Sequence, residues 1–210
     1  MKIGTCVNFS EIDGMEKKFA QLREHNFDSC QLVSWNPAAW TDENASLLKT
    51  LLEQYQITVS AFWCGWSGPA AWNFYDGPLT LGLVPVEYRQ MRIENLCDGA
   101  DFAHKLGITD VVTHMGFIPE NPYDPNFSSF CIAVRTVAEH LKKNGQCLLF
   151  ETGQETPVTM LRCFEAVGTD NLYVNLDTAN LILYGKANPA DALDVFGKYV
   201  RNLHAKDGCY

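Results

Sequence analysis

The stretch LLFETGQE, residues 148–155, decides the prediction of the fold. Its apolar residues run directly into a carboxylate, Glu151, and Thr152 and Gly153 follow at once. A short, continuous apolar run is typical of a strand that is buried on both faces of a parallel sheet. Glu151 therefore lies where a predicted buried strand gives way to a loop.

The same pattern recurs twice downstream. LYVNLDTAN, residues 172–180, ends its apolar run at Asp177, and VRNLHAKDG, residues 200–208, ends its run at His204. Each interval between these strand ends has room for one helix. Parallel strands that are joined by helices have all their carboxyl ends at one edge of the sheet. Glu151, Asp177 and His204 are therefore expected to converge, and two carboxylates with an imidazole are typical of a divalent-metal site.

The composition excludes several classes of function. The 210 residues carry a net charge of −9, whereas nucleic-acid-binding domains usually present a basic face, so no nucleic-acid partner is expected. No apolar run approaches the ~20 residues that span a bilayer, and the start lacks the apolar core of a signal peptide, so no membrane partner is expected. Eight scattered cysteines without a CxxC pair indicate a reducing, cytoplasmic location.

The rest of the chain alternates between predicted strands and helices. Strands are predicted at 2–7, 28–34, 57–63, 108–113, up to Glu151, up to Asp177, and at about 201–205. Helices are predicted at 14–26, after Thr41 or Asp42, and at 86–106, 126–144, 157–167 and 189–199. No GxGxxG or GxxxxGK[ST] motif is present, so the usual marks of the nucleotide-binding folds are missing.

This alternation predicts an α/β fold of the (β/α)8 TIM-barrel type. A closed barrel of this kind has eight strands, and about seven parallel strands with outer helices are predicted here. We therefore expect one domain over residues 1–210, an incomplete barrel that lacks its C-terminal βα unit. A doubly wound open sheet is the alternative, since it would not need to close. An open edge would expose unpaired strand groups, which is compatible with a homo-oligomer.

Residues 64–85 interrupt the alternation with a long segment rich in Gly, Pro and aromatic residues. A loop of this length in a compact domain is usually functional or disordered, and the aromatic residues argue against disorder. One interpretation is a surface flap that packs on itself or on a partner subunit. The other is a lid that places Trp66 or Trp72 over a ligand.

Three motifs carry a resemblance to a known family. The apolar strand that ends at Glu151, LDTANL at 176–181 and NLHAKDG at 202–208 resemble the sugar phosphate isomerase/epimerase family with a xylose-isomerase-like barrel. That family includes the D-tagatose and D-psicose 3-epimerases, and the endonuclease IV type of DNA-repair enzyme is a more distant relation. Asn180 stands where the epimerases often carry His, and Tyr210 stands where they carry a substrate-binding Arg.

The resemblance implies a site with one divalent metal. Glu151, Asp177 and His204 match three of the family's metal ligands, and the fourth, a second Glu, belongs on an eighth strand beyond Tyr210. The residue types favour Mn²⁺, Mg²⁺ or Co²⁺, and Zn²⁺ is also compatible. The resemblance also implies that the two metal-binding Glu residues act as acid and base on the carbon next to the substrate carbonyl, and Glu151 is the one that this chain matches. An enediolate is the expected intermediate.

Seven further residues are candidates for substrate binding: Trp63, Trp66, His114, Glu155, Asn180, Lys206 and Asp207. Several of them also have a purely structural interpretation. His114 would anchor its loop, Glu155 would cap the next helix, and Trp63 would belong to the core. Lys206 would be a surface cation. The functional role expected of Asp207 is to orient a metal ligand through a hydrogen bond.

Two classes of function follow from the sequence. The first is a divalent-metal-dependent isomerase or epimerase of a small carbohydrate. The second is an incomplete or non-catalytic barrel that binds a small sugar-like ligand. The absence of an Arg/Lys cluster and of a Gly-rich phosphate loop favours a sugar or polyol without phosphate. Cleavage of phosphodiesters in damaged DNA is disfavoured by the acidic charge and by the presence of five histidines, few for a multi-metal nuclease.

Overall fold

Seven parallel strands form one sheet, and their order in the sheet is their order in the chain. The computed structural model of the protein describes residues 2–208. The strands are β1 (Thr5–Asn8), β2 (Ser29–Ser34), β3 (Thr58–Cys64), β4 (Asp110–Thr113), β5 (Cys147–Glu151), β6 (Leu172–Asp177) and β7 (Val200–His204). A doubly wound sheet would reverse its strand order part-way, so this topology is that of the barrel type, as predicted.

Helices follow most of the strands. They are α1 (Met15–Glu24), α2 (Asp42–Tyr55), α3 (Gly77–Thr80), α4 (Val86–Lys105), α5 (Pro125–Lys143), α6 (Pro157–Val167), α7 (Thr178–Leu183) and α8 (Pro189–Phe196). Short 3-10 helices span Pro37–Ala39 and Gly197–Tyr199. The predicted starts of two helices are observed directly: the hydroxyls of Thr41 and Thr156 accept bonds from the first-turn amides of α2 and α6. The short helices α3 and α7 were not predicted.

The sheet is strongly curved. Asp110 on β4 forms an ion pair of 3.0 Å with Arg201 on β7, three strands away in the sheet order. The thiol of Cys6 on β1 lies 3.7 Å from His204 Nε2 at the end of β7. Side chains of strands this far apart meet only if the sheet curls around a common axis, as in a barrel.

The strands alternate between two environments, as the two-residue period of a strand requires. Phe62, Val111 and Leu148 belong to the main core between the sheet and the helices. Their neighbours Ala61, Trp63, Val112 and Leu149 form a separate small cluster on the concave side. Glu151 and His204 share that side with Trp63, because all three line one cleft. The concave face therefore carries the polar strand-end residues.

A buried arginine fixes the long segment 64–85. Arg92 of α4 is fully buried, and its guanidinium donates hydrogen bonds to the carbonyls of Ser67, Pro69 and Gly82 at 3.2, 2.8 and 2.7 Å. It also lies 4.0 Å from the centre of the Trp66 ring. Burial lowers the pKa of Arg92 to about 10, which leaves the group charged at neutral pH. These bonds satisfy loop carbonyls that have no partner in a sheet or helix.

Gly82 is required where this segment meets the residues that follow β4. Its φ of +66° lies in the left-handed region, and a Cβ at this position would lie 2.0 Å from the backbone of Met115. Only glycine allows so close an approach between the two chain segments. The end of the loop is therefore held directly against Met115, the residue after His114.

Two further features bear on earlier expectations. Within residues 2–208, the helices lack the combination of length and apolar character that a membrane crossing needs. The seven cysteines in the same range are all free thiols.

Candidate functional site

The structure brings Glu151, Asp177 and His204 together. They are the last residues of β5, β6 and β7, and one potential ligand atom of each lies within 4.8 Å of those of the other two. His204 Nδ1 is 2.7 Å from Glu151 Oε1 and 3.9 Å from Asp177 Oδ2. Parallel pairing of adjacent strands places these residues at one edge of the sheet, as the sequence predicts.

Asp177 serves the fold and the site with different oxygens. Its Oδ1 accepts a hydrogen bond of 2.8 Å from the amide of Asn180 and so caps α7. Its Oδ2 faces His204 and lies 3.4 Å from Lys206 Nζ. Lys206 also donates a 2.7 Å hydrogen bond to Asn180 Oδ1. The capping bond fixes the carboxylate so that its second oxygen points to the cluster.

Glu151 and His204 perturb each other's pKa. Burial raises the pKa of Glu151, while the hydrogen bond and the positive charge of His204 oppose that rise. Burial alone would lower the pKa of His204, but hydrogen bonds to Cys6 and Glu151 outweigh it and raise the pKa to about 10. Without a metal, the imidazole of His204 is therefore positively charged, and it lies beside the side chains of Glu151 and Asp177. A bound metal would displace a proton from it.

A cleft of about 760 Å³ opens beside this cluster. Its lining combines the polar strand ends with aromatic side chains, and the residues are Val33, Trp35, Trp63, Trp72, Asn73, Phe74, His114, Glu151, Gln154, Asp177, Asn180, Leu183, Tyr184, His204 and Lys206. The ring of Trp72 lies 4.9 Å from His114, and Trp35 lies 5.1 Å from Trp63, measured between ring centres. The cleft has the size and the mixed lining of a small-molecule site.

Four of the seven candidate substrate residues line the cleft: Trp63, His114, Asn180 and Lys206. His114 Nδ1 lies 3.1 Å from Gln154 Oε1. Burial lowers the pKa of His114 to about 3, so the ring is neutral at physiological pH. Since a carbonyl oxygen only accepts, Nδ1 carries the hydrogen in this neutral ring.

The other three do not line the cleft. Trp66 is buried behind it, and its indole N–H donates to the Thr113 hydroxyl at 3.2 Å. Asp207 is exposed, and its carboxylate accepts a bond from the Gly208 amide. Glu155 is buried away from the cleft, and within residues 2–208 neither of its carboxylate oxygens makes a well-formed hydrogen bond.

Two residues of the cluster were missed by the sequence analysis. Asn175 on β6 donates a hydrogen bond to Glu151 Oε2, and Gln31 on β2 lies 2.6 Å from His204 through its Oε1. Both are buried. The available signal was a polar residue inside an apolar strand, in SCQLVS and in LYVNLD.

The donor set fits a divalent cation. The carboxylate oxygens Glu151 Oε1 and Asp177 Oδ2 lie 2.7 and 3.9 Å from His204 Nδ1. Two carboxylate oxygens and an imidazole nitrogen are hard or borderline ligands, which suits Mg²⁺, Mn²⁺, Co²⁺ or Zn²⁺. One side of the cluster faces the cleft, so a cation there would be reachable by a ligand.

A family model described as a xylose isomerase-like TIM barrel matches residues 19–209. The chain belongs to the xylose isomerase-like TIM barrel family. The resemblance inferred from the three motifs is thereby confirmed. A search of curated proteins finds no match to this chain.

Solved structures agree with the family assignment. A xylose isomerase domain protein from Planctomyces limnophilus is 29% identical with a TM-score of 0.90, over 98% of this chain and 74% of that one. An L-ribulose 3-epimerase is 19% identical with a TM-score of 0.74, over 99% of this chain and 73% of that one. A xylose isomerase-like TIM barrel protein from Mycobacterium smegmatis, in complex with magnesium, is 20% identical with a TM-score of 0.72. That match covers 98% of this chain and 74% of the other. The two more distant structures show the shared fold.

The buried Glu155 generates a prediction about stability. Burial raises its pKa to about 8 from an ordinary value of 4.5, with Glu151 adding to the rise and Lys186 opposing it. Between these two values the folded state holds a proton that the unfolded state has released. The free energy of unfolding therefore falls as pH rises, by up to about 1.4 kcal/mol per pH unit from this group.

Glu155→Gln removes this dependence, so the variant should gain stability relative to the parent from about pH 5 to pH 8. Urea unfolding at pH 5, 6.5 and 8 measures it. Glu165→Gln, which removes an exposed carboxylate from α6, is the matched control. Parallel pH profiles for Glu155→Gln and the parent would contradict the buried, protonated state of Glu155.

Proposed function

We propose that this protein is a divalent-metal-dependent isomerase or epimerase that acts on a small carbohydrate through an enediolate. The observation that carries the proposal is the convergence of Glu151, Asp177 and His204 on the wall of the cleft. Membership of the xylose isomerase-like family and fold similarity to an L-ribulose 3-epimerase support it.

A cation held by Glu151, Asp177 and His204 would supply a Lewis acid beside the carbonyl and hydroxyl oxygens of a ketose. Glu151 would move the proton on the carbon next to the carbonyl. Its raised pKa makes it a stronger base than an exposed glutamate, and Asn175 holds its Oε2 in place. We propose Mn²⁺, Mg²⁺ or Co²⁺ as the metal, with Zn²⁺ also compatible with the ligand set.

The remaining cleft residues suit a polyhydroxylated ligand. Lys206 Nζ lies between Asp177 and Asn180, where its charge would stabilise negative charge that develops on a substrate oxygen. Neutral His114 offers a hydrogen-bonding ring edge in the same cleft. Trp63 and Trp72 offer flat apolar faces to the C–H groups of a sugar. The roles of Glu155, Trp66 and Asp207 are proposed as indirect, through support of the loops that carry these groups.

A non-catalytic barrel that binds a sugar-like ligand is the second candidate. The observation in its favour is that Glu151 and Asp177 are the two carboxylates that line the cleft within residues 2–208, and both belong to the candidate metal set. No further carboxylate of that range is placed to act as an independent acid or base. Ligand binding without turnover would fit this arrangement.

We also propose a cellular location, a class of partner and an oligomeric state. Seven free thiols within residues 2–208 suit a reducing cytoplasm. The acidic charge suits a small neutral substrate and no nucleic acid. Homo-oligomer formation would cover the outer strands of the open sheet.

Hydrogen exchange separates the two candidates. The protein is incubated in D2O with Mn²⁺ and a panel of unphosphorylated ketopentoses and ketohexoses, and deuterium next to the carbonyl is measured by NMR. An isomerase or epimerase should introduce deuterium into at least one sugar. Glu151→Gln should slow this by ~10²–10⁴-fold, because a positioned proton-transfer group is lost.

Two controls frame that experiment. Glu120→Gln removes an exposed carboxylate that pairs with Lys186, outside the cleft, and should exchange at the parental rate. Removal of divalent ions with a chelator should abolish exchange. Metal binding without exchange into any sugar would contradict the isomerase proposal and favour the non-catalytic candidate.

Replacement of Trp72 and of Trp66 by alanine should have different effects on ligand affinity and on stability. Trp72 lines the cleft and is 45% exposed, so Trp72→Ala should raise the Kd of the exchanging ketose roughly threefold to tenfold at unchanged stability. Trp66 is buried under Arg92, so Trp66→Ala should cost about 3–5 kcal/mol of stability. Ligand titration and urea unfolding measure the two effects. Unchanged sugar affinity in Trp72→Ala would favour a flap that packs without contacting the ligand.

A further inference from the structure

Four buried or partly buried side chains from β2, β5, β6 and β7 form a closed ring of hydrogen bonds. His204 Nε2 lies 2.6 Å from Gln31 Oε1, and Gln31 Nε2 donates to Asn175 Oδ1 at 3.0 Å. Asn175 Nδ2 donates to Glu151 Oε2, and Glu151 Oε1 lies 2.7 Å from His204 Nδ1. Two of its four members, Glu151 and His204, are therefore candidate metal ligands.

The chemistry of the groups gives the ring one direction. An ionised carboxylate only accepts hydrogen bonds, so Asn175 must turn its NH₂ towards Glu151 and its carbonyl oxygen towards Gln31. Gln31 then donates its NH₂ to Asn175 and presents its own carbonyl oxygen to His204. That oxygen needs a donor, so His204 carries a hydrogen on Nε2.

This direction selects the ligand nitrogen of His204. With Nε2 protonated and bonded to Gln31, Nδ1 is the nitrogen that can give its lone pair to a cation. Nδ1 is also the nitrogen that faces Glu151 Oε1 and Asp177 Oδ2. In metal sites, the hydrogen bond made by the second ring nitrogen commonly sets the tautomer and ring orientation.

Burial makes the ring a fixed part of the fold. Asn175 is fully buried, and Gln31 is 7% exposed, so water competes little for their bonds. Neither residue lines the cleft, so neither would touch a ligand held there. The thiol of Cys6 is a second, longer neighbour of His204 Nε2 at 3.7 Å, and it leaves the 2.6 Å bond to Gln31 dominant.

We propose that Gln31 and Asn175 are positioning residues that preset the Nδ1-ligating tautomer of His204 and the orientation of the Glu151 carboxylate for a divalent cation. This inference rests on the metal site of the proposed function. Gln31 lies on β2, five strands away from β7 in the sheet order, and it contacts His204 across the inside of the curved sheet. Asn175 acts from β6, which also carries Asp177 and lies between the strands that carry Glu151 and His204.

Gln31→Met tests the proposal, because it keeps the length of the side chain and removes both hydrogen-bonding groups. Calorimetric titration with Mn²⁺ should show an affinity about 10–100-fold below that of the parent. Gln31→Glu keeps an oxygen for His204 Nε2 and should recover most of that loss. If Gln31→Met does not fold, Asn175→Leu breaks the ring at the next residue and should show a similar loss.

Nitrogen-15 NMR of His204 gives a readout that does not depend on activity. In the Zn²⁺-loaded parent, Nε2 should carry the hydrogen and Nδ1 should show the shift of a metal-bound nitrogen. In the metal-free parent, the Nε2 hydrogen should exchange slowly with water, and in Gln31→Met that protection should disappear. A metal-bound Nε2, or an unprotected Nε2 hydrogen in the metal-free parent, would overturn the proposal.

Gln146→Met is the matched control. Gln146 is also a buried glutamine with two hydrogen bonds, to the carbonyls of Ala100 and Ile108, but it lies away from the cluster. Its loss should lower stability and leave the Mn²⁺ affinity unchanged. Failure of the parent to bind Mn²⁺, Mg²⁺, Co²⁺ or Zn²⁺ would refute the proposed metal site. Equal Mn²⁺ affinity of the parent and Gln31→Met would refute the positioning role alone.

Discussion

Parallel pairing of β5, β6 and β7 is the constraint on which the site depends. It aligns Asp177 with His204 and places Glu151 beside Asn175 at the same edge of the sheet. Curvature of the sheet then brings β1 and β2 close enough for Cys6 and Gln31 to reach His204. The polar side chains can remain buried there because they satisfy one another, which avoids the cost of an unpaired buried group.

The cleft depends on a second set of buried polar contacts. Arg92 donates hydrogen bonds to carbonyls of the segment 64–85 and stacks against Trp66, so a buried guanidinium fixes the loop on α4. Trp72 and Phe74, further along the same segment, then form part of the cleft wall. The loop therefore combines the two interpretations open at the sequence level, since it packs on its own helix and also borders the cleft.

The sequence predicts the strand ends well because the signal there is local. An apolar run that stops at a charged residue marks both the strand and its carboxyl end, and Glu151, Asp177 and His204 are the final residues of their strands. The sequence does not reveal helix α7, because TANLIL follows β6 without a turn and its capping residue, Asp177, is also the last residue of the strand. One carboxylate performs both tasks.

Gln31, Asn175 and Arg92 could not be assigned from the sequence because their partners are distant in the chain. Gln31 bonds to residues 144 and 173 positions away, and no local pattern contains that information. Glu155 illustrates the opposite problem. It follows Glu151 closely enough to suggest a place in the cleft, but the turn after β5 directs it into the interior instead.

Anomalous diffraction from a crystal soaked in Mn²⁺ tests the metal site most directly. Data collected above the manganese absorption edge should show one peak at about 2.0–2.2 Å from an oxygen of Glu151, an oxygen of Asp177 and Nδ1 of His204. A saturating soak that gives no peak at this cluster, or a peak bound by other residues, would contradict the assignment of these three side chains as metal ligands.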